Sequence, residues 1–268
     1  MLKRILNKLG IYRVYPLNNA GKKFRIPIFN GLGFANLSDA EPWMDDLLKE
    51  FGSTDTNFLD VVVNVGQTLI KWKAPYPSAT YTGFEPNYNC VKYVEDLITK
   101  NEFENCTINP YALDTQSSKK KLYLLGRDKS DSSASMLADF RSGEDRMAIN
   151  IETSSLAALG LNNFDLVKID VEGAELFVLQ SLFEVCQNAI ISCEILPAYN
   201  LENSERIERQ QEIEKLLSLH NYAIFRVQKT QPIRIESIEE FGIHGELSKS
   251  DYIFIPKDRI NQFKHLLA

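Results

Sequence analysis

Acidic side chains in this sequence repeatedly follow short apolar runs. FLDVVVNV carries Asp60 and leads into Asn64 and Gly66, and ATYTGFE ends in Glu85 with Asn87 just beyond. Asp114 closes NCTINPYAL, FDLVKID delivers Asp170 and then Glu172, and NAIISCEI carries Glu194. Carboxylates grip hydroxyls, attract cations or take up protons, depending on burial and neighbours. If the runs are neighbouring parallel strands, these acids converge in the crevice beyond the strands' carboxyl ends, where open α/β sheets bind ligands.

The elements needed for that convergence can be read from the pattern. FLDVVVNV is nearly continuous and β-branched, as expected of a strand buried on both faces. QTLIKW reads as a short helix, ATYTGFE as a second strand, VKYVEDLITK as an amphipathic helix, and NCTINPYAL as a third strand. KKLYLLG and RMAINIET read as paired strands around the polar loop DKSDSSAS, with a short helix after Thr153. FDLVKID, the helix AELFVLQSLFEV, the strand NAIISCEI and the long helix SERIERQQEIEKLLSLH follow. YAIFRVQ and DYIFIPK close the chain as a pair without an intervening helix. Strands alternating with helices imply right-handed βαβ units and a parallel sheet. The expected fold is therefore a three-layer α/β sandwich with an antiparallel hairpin at one edge. Residues 1–56 read as an N-terminal extension packed on a core domain of residues 57–268.

The turn after the first strand limits the ligand. A dinucleotide site uses G-x-G-x-x-G so that backbone can approach a pyrophosphate. Here the turn is V-V-V-N-V-G, with Val62 and Val63 where glycines would be needed. That argues against a pyrophosphate cradle and so against a nicotinamide oxidoreductase. S-adenosylmethionine carries no phosphate and a positive sulfonium, which suits nearby carboxylates. An acid ending the second strand, Glu85, suits a pair of ribose hydroxyls.

FLDVVVNVGQTL, YTGFEPN, the NPYALD segment and above all LVKIDVEGAELFVL resemble the FkbM-type S-adenosylmethionine-dependent methyltransferases. The resemblance covers roughly residues 57 to 200, with an echo in SDYIFIPK. It implies a Rossmann-like, mostly parallel seven-stranded sheet and methyl transfer to a hydroxyl of a saccharide or glycosylated small molecule. Carried onto matching positions, it implies that Asp60, Asn64 and Gly66 shape the turn at the cofactor's methionine end. Glu85 holds the ribose, Asn87 sits beside it or caps the next helix, and Ala112 and Asp114 border the adenine. Ser135 contacts the adenine or a covering loop, and Asp170 holds the cofactor's ammonium group or a substrate hydroxyl. One position departs from the family's D-x-G-x-N-x-G: the first glycine is Val62. The alternative is thus a degenerate cofactor-binding or interaction module without catalysis.

Transfer to a hydroxyl needs the acceptor oxygen about 3 Å from the methyl carbon and a group to remove its proton. Asp170, Glu194 and His244 are the candidate bases. Histidine has the most suitable ordinary pKa, roughly 6.5, and His244 falls in the connection between the closing strands. Two carboxylates, Asp170 and Glu194, are too few to claim a metal site.

Composition agrees with a small-molecule enzyme. The 268 residues are 44% hydrophobic and 25% charged, ordinary for a folded globule. Thirty basic against thirty-six acidic residues give a net charge of -6, which argues against a nucleic-acid partner. No apolar run approaches the ~20 residues of a membrane span. MLKRILNKLG has helical apolar spacing with basic residues between, so it reads as a short packed helix, with peripheral membrane contact as the alternative. Cys90, Cys106, Cys186 and Cys193 lie in apolar contexts without C-x-x-C spacing, so reduced buried thiols in a cytoplasmic protein are expected.

Overall fold

The computed structural model of this chain describes residues 12–38, 41–125, 134–136 and 146–268. The basic segment 1–10 and most of the loop 128–135 lie outside the described residues.

The chain enters as a hairpin, β1 (Arg13–Asn19) and β2 (Lys22–Ile28), turned by Ala20 and Gly21 with φ of 46° and 78°. Helix α1 (Pro42–Phe51) follows. It buries Trp43, Met44, Leu47, Leu48 and Phe51, which recur at helical spacing on one face. Fully burying each such side chain contributes about 1.5–3 kcal/mol.

The core alternates as expected: β3 (Phe58–Val61), α2 (Gln67–Lys73), β4 (Tyr81–Phe84), α3 (Tyr88–Asn101) and β5 (Cys106–Asn109). Then come β6 (Ala112–Leu113), β7 (Ser118–Leu125), β8 (Arg146–Ser154), β9 (Leu166–Ile169), α4 (Glu175–Phe183), β10 (Ile190–Glu194) and α5 (Ser204–Leu219). The chain closes with β11 (Tyr222–Gln228), β12 (Arg234–Ile238) and β13 (Asp251–Pro256).

The main sheet has eight strands in the order β12-β11-β13-β10-β9-β3-β4-β5. This corrects the expected seven. The eighth is β12, which pairs antiparallel with β11 and was hidden in a polar connection. Five neighbours, β10-β9-β3-β4-β5, are parallel, whereas β13 enters antiparallel between β10 and β11. The sheet is therefore mixed. Strand order reverses at β3, whose neighbours are β4 and β9, and the crevice opens at that switch point.

Alternation along each strand sorts the apolar runs onto two faces. Phe58, Leu166, Ile190 and Ile253 pack with α1, α2, α3 and β2 on one side. Leu59, Val167, Ile191 and Phe254 pack with α4 and α5 on the other. That is the three-layer arrangement.

Two other expectations change. NCTINPYAL is not one strand: Pro110, which lacks a backbone donor, separates β5 from β6, and β6 joins a small separate sheet, β6-β8-β7. The residues after Thr153 form hydrogen-bonded turns at 156–160 rather than a helix.

Candidate active site

Register sets the site. Val61 pairs with Phe84 and Ile169, Ile169 with Cys193, and Glu194 with Asp251. Glu85, Val62, Asp170, Glu194 and Asp251 therefore form one row across the carboxyl ends of β4, β3, β9 and β10 and the amino end of antiparallel β13. Neighbours in such a row lie roughly 4.8 Å apart along the sheet.

At the β3–β4 end of that row lies a largely apolar cavity. Val62, Phe84 and Val171 form part of its wall on the main sheet, and Tyr111, Leu122 and Met136 close it from the small sheet's side. Glu85, Asn64 and Asn87 are its principal polar groups. Backbone N–H groups of Asn64 and Asn87 donate to the two oxygens of Glu85, at 2.7 and 2.8 Å. Burial pushes the Glu85 carboxyl up to about 7, against the pull of those two donors.

The turn itself is built from left-handed residues. Val62, Asn64 and Gly66 have φ of 72°, 50° and 77°. Glycine adopts this conformation freely and asparagine with modest cost, but for a β-branched residue it is an outlier. Val62 thus stands where the backbone favours glycine. A Cβ on Gly66 would meet Leu97 Cδ2 at 2.9 Å, so its bareness serves packing of the turn onto α3.

The expected site residues divide into three groups. Asn64, Glu85, Asn87 and Ala112 line the cavity. Asn87 also caps α3, its side chain accepting from the Asn89 N–H at 3.1 Å.

Asp60, Gly66, Asp114 and Ser135 are not among the residues that line the cavity. Asp60 lies two rows beneath, level with Gly83 and Lys168. It is fully buried and accepts from the Tyr81 hydroxyl at 2.5 Å, while its Oδ1 has no partner among the described residues. Burial lifts its carboxyl to about 6, with Lys168 and Tyr81 pulling the other way. Asp114 is buried and ion-paired with Lys120. Ser135 Oγ donates to the Glu172 carbonyl at 2.7 Å, which fastens the wall segment to the turn after β9.

Asp170 and Glu194 lie farther along the row, whereas His244 lies in the connection before β13. Asp170 accepts from Lys168 Nζ at 3.0 Å. Burial works against the Lys168 charge, yet Asp170 and Asp60 hold its ammonium above the ordinary range. Glu194 Oε1 accepts from Ser250 Oγ at 3.1 Å. Burial, then Asp170, Asp251 and Glu172, push the Glu194 carboxyl up to about 8. His244 stands 3.5 Å from the Tyr252 hydroxyl through Nε2. Burial, then Arg226 and Lys249, push its pKa down, which favours the neutral ring.

Sequence reasoning missed Asp251, Ser250 and the cavity walls. Asp251 reaches Glu194 only because β13 inserts beside β10, an arrangement with no local signal. The walls Tyr111, Leu122 and Met136 carry ordinary apolar identities. All four cysteines are free, and Cys106 is only partly buried, unlike the other three.

The residues fit S-adenosylmethionine: an apolar slot for a base, a buried hydrogen-bonded acid in its lining for a diol, and further carboxylates along the row for a cation. A family model described as the Methyltransferase FkbM domain matches residues 60–224, more than half of the chain. No curated protein matches it. Among solved structures, a proposed SAM-dependent methyltransferase from Streptococcus mutans superposes with a TM-score of 0.50 at 10% identity, covering 90% of this chain and 54% of that one. Precorrin-6y C5,15-methyltransferase from Geobacter metallireducens gives 0.41 at 13% identity, over 79% of this chain and 85% of that one. TYW2 from P. horikoshii, solved with MeSAdo, gives 0.45 at 11% identity, over 90% and 69%. At such identities the likeness concerns the fold alone.

Proposed function

Since the chain belongs to the FkbM methyltransferase family, whose cofactor is S-adenosylmethionine, we propose that it methylates a hydroxyl oxygen of a saccharide or glycosylated small molecule. The observation that carries this reading is the row Glu85, Val62, Asp170, Glu194 and Asp251. It runs from a diol-gripping acid beside an apolar slot to a group of acids suited to a hydroxyl acceptor.

The cofactor supplies an electrophilic methyl on a positively charged sulfur. Glu85 would hold its ribose hydroxyls: each carboxylate oxygen accepts one backbone N–H and keeps a lone pair for a further donor. Asn87 would stand beside the ribose, and Ala112 with Tyr111 and Met136 would border the base. Asn64 and Gly66 shape the turn at the methionine end, with Asp60 and Asp114 as buried supports. Ser135 holds the wall segment in place.

Glu194 is the proton acceptor in this reading. Its position in the acid group makes it a stronger base than an ordinary carboxylate, and Ser250 orients it. Asp170, steadied by Lys168, orients the acceptor hydroxyl. His244, kept neutral, is a further proton acceptor beside Tyr252. The N-terminal extension, residues 1–56, would shape the acceptor side of a core domain formed by residues 57–268. We place the reaction in the cytoplasm, where four free thiols stay reduced.

The test is direct. The protein is incubated with methyl-labelled S-adenosylmethionine and a panel of neutral glycosides, and the products are analysed by mass spectrometry. Label in a methyl ether supports the reading; label only on nitrogen or carbon overturns it. A second reading, a cofactor-binding module without catalysis, is favoured by the strained Val62. Tight cofactor binding without label in any acceptor would support it.

A further inference from the structure

Cys90 lines the apolar cavity together with Asn64. It is the third residue of α3, and with Val94 and Leu97 it forms a buried stripe at helical spacing. The turn after β3 packs on that stripe: a Cβ on Gly66 would lie 2.9 Å from Leu97 Cδ2 and 3.6 Å from Val94 Cγ2. Cys90 is the member of the stripe nearest the helix N-terminus, beside the cavity. It is 2% exposed, and its thiol donates to Asn64 Oδ1 at 3.8 Å. We propose that Cys90 is a positioning residue of the cofactor site: it holds the oxygen of the Asn64 carboxamide and thereby aims the amide N–H groups at the carboxylate of the cofactor's methionine end.

The backbone of Asn64 is already fixed. Its N–H is committed to Glu85 Oε2 at 2.7 Å, and its φ of 50° is left-handed. The terminal torsion of an asparagine is broad and roughly two-fold, so what each end of the amide bonds to decides which way it faces. A thiol donating to the oxygen makes that choice: oxygen toward α3, nitrogen away from it. The amide nitrogen carries two donors and no acceptor, which suits a carboxylate. A thiol is a weak donor, so Cys90 orients the amide and adds little affinity of its own. A buried cysteine otherwise behaves as a small hydrophobe, and packing on the turn would be met equally by a valine. This inference rests on the methyltransferase reading, because it takes the cofactor's amino-acid moiety to lie at Asn64.

Isothermal titration of the full chain with S-adenosylhomocysteine and with 5′-methylthioadenosine tests it. The second ligand keeps the nucleoside and the thioether but lacks the amino-acid moiety. Cys90→Val should weaken S-adenosylhomocysteine at least about threefold, the scale of one misdirected hydrogen bond, and leave 5′-methylthioadenosine within about twofold of the parent. Asn64→Gly, which tolerates the left-handed turn, should weaken S-adenosylhomocysteine at least as much. Adding Cys90→Val to Asn64→Gly should cost nothing further, since the two act through one amide. A thiol that only packs would weaken both ligands alike, or add its own loss to that of Asn64→Gly, and either result overturns the proposal. Unchanged S-adenosylhomocysteine affinity in Cys90→Val overturns it as well, while the methyltransferase reading stands. If the parent protein binds neither ligand, that reading fails and takes this inference with it.

Discussion

The backbone N–H of Asn64 donates to Glu85 Oε2 at 2.7 Å, so the acid ending β4 pins the turn that ends β3. The contact bridges two neighbouring strands at the point where the sheet order reverses. It holds the left-handed residues Val62 and Asn64 in place beside the cavity. One carboxylate thereby shapes the turn and remains available to a ligand.

Glu85→Gln should therefore weaken S-adenosylhomocysteine by about 1.5–3 kcal/mol, the range for a hydrogen bond to a charged group. That corresponds to a loss of affinity of roughly tenfold or more in isothermal titration. Unchanged affinity in a variant that melts normally would remove Glu85 from the ribose site.

Val62→Gly should tighten cofactor binding. The substitution relieves a strained φ and removes two methyl groups from the cavity wall. Strain of this kind costs about 1–3 kcal/mol. Val62→Ala should give part of the gain, since it removes bulk but keeps a Cβ. Titration of both variants checks this, and equal affinities across the series would show that Val62 does not limit access.

Methyl transfer should depend on ionised Glu194. Its carboxyl is raised to about 8, so the rate should rise with pH through that value and level off above it. Glu194→Gln should lower kcat by about 10²-fold or more, the usual scale of general-base catalysis. It should also flatten this limb of the profile while leaving cofactor affinity intact. An unaltered profile would pass the role to His244, whose depressed pKa predicts a limb below neutrality.

Stability without ligand should fall as pH rises. Asp60 and Asp251 are raised to about 6, Glu85 to about 7 and Glu194 to about 8, chiefly by burial. Each binds its proton more tightly folded than unfolded, so the folded chain holds more protons and loses stability from about pH 4 upward. The loss continues through about pH 8, the highest of these values, and ends above it. Differential scanning fluorimetry should show a melting temperature several degrees higher at pH 5.5 than at pH 8. The opposite slope would mean that these acids are ionised without cost.

Gly83→Ala should destabilise the fold. A Cβ there would lie 2.4 Å from Val63 Cγ2 and 2.9 Å from Ile108 Cδ1. Overpacking of this kind costs about 1–3 kcal/mol. Val63→Ala in the same chain should restore much of the loss. A melting temperature unaffected by Gly83→Ala would show that the turn yields readily.

Much of the core was legible because burial on both faces writes a continuous apolar run, as in FLDVVVNV and NAIISCEI. The family could be read from LVKIDVEGAELFVL, since a turn that must hold fixed groups at fixed spacing leaves a local string. Glu85 was found as an acid directly after a strand. Strand β12 escaped because an edge strand is buried on fewer sides, and here buried Ile235 stands between exposed Arg234 and Glu236. NCTINPYAL was misread because apolar character alone does not say which sheet a residue joins.

The chain's own order of residues decided which groups could meet a cofactor: the acids, the turn and the strand ends are local facts, determined by neighbours one to four positions away. Only the tertiary structure decided which of them do meet. Register between strands far apart in sequence set Asp60 two rows below Glu85 and Asp170 level with Glu194. Insertion of β13 beside β10 brought Asp251 and Ser250 to the same acid. Burial then raised carboxyls that the sequence lists as ordinary, because desolvation depends on everything packed around a group and on nothing written beside it.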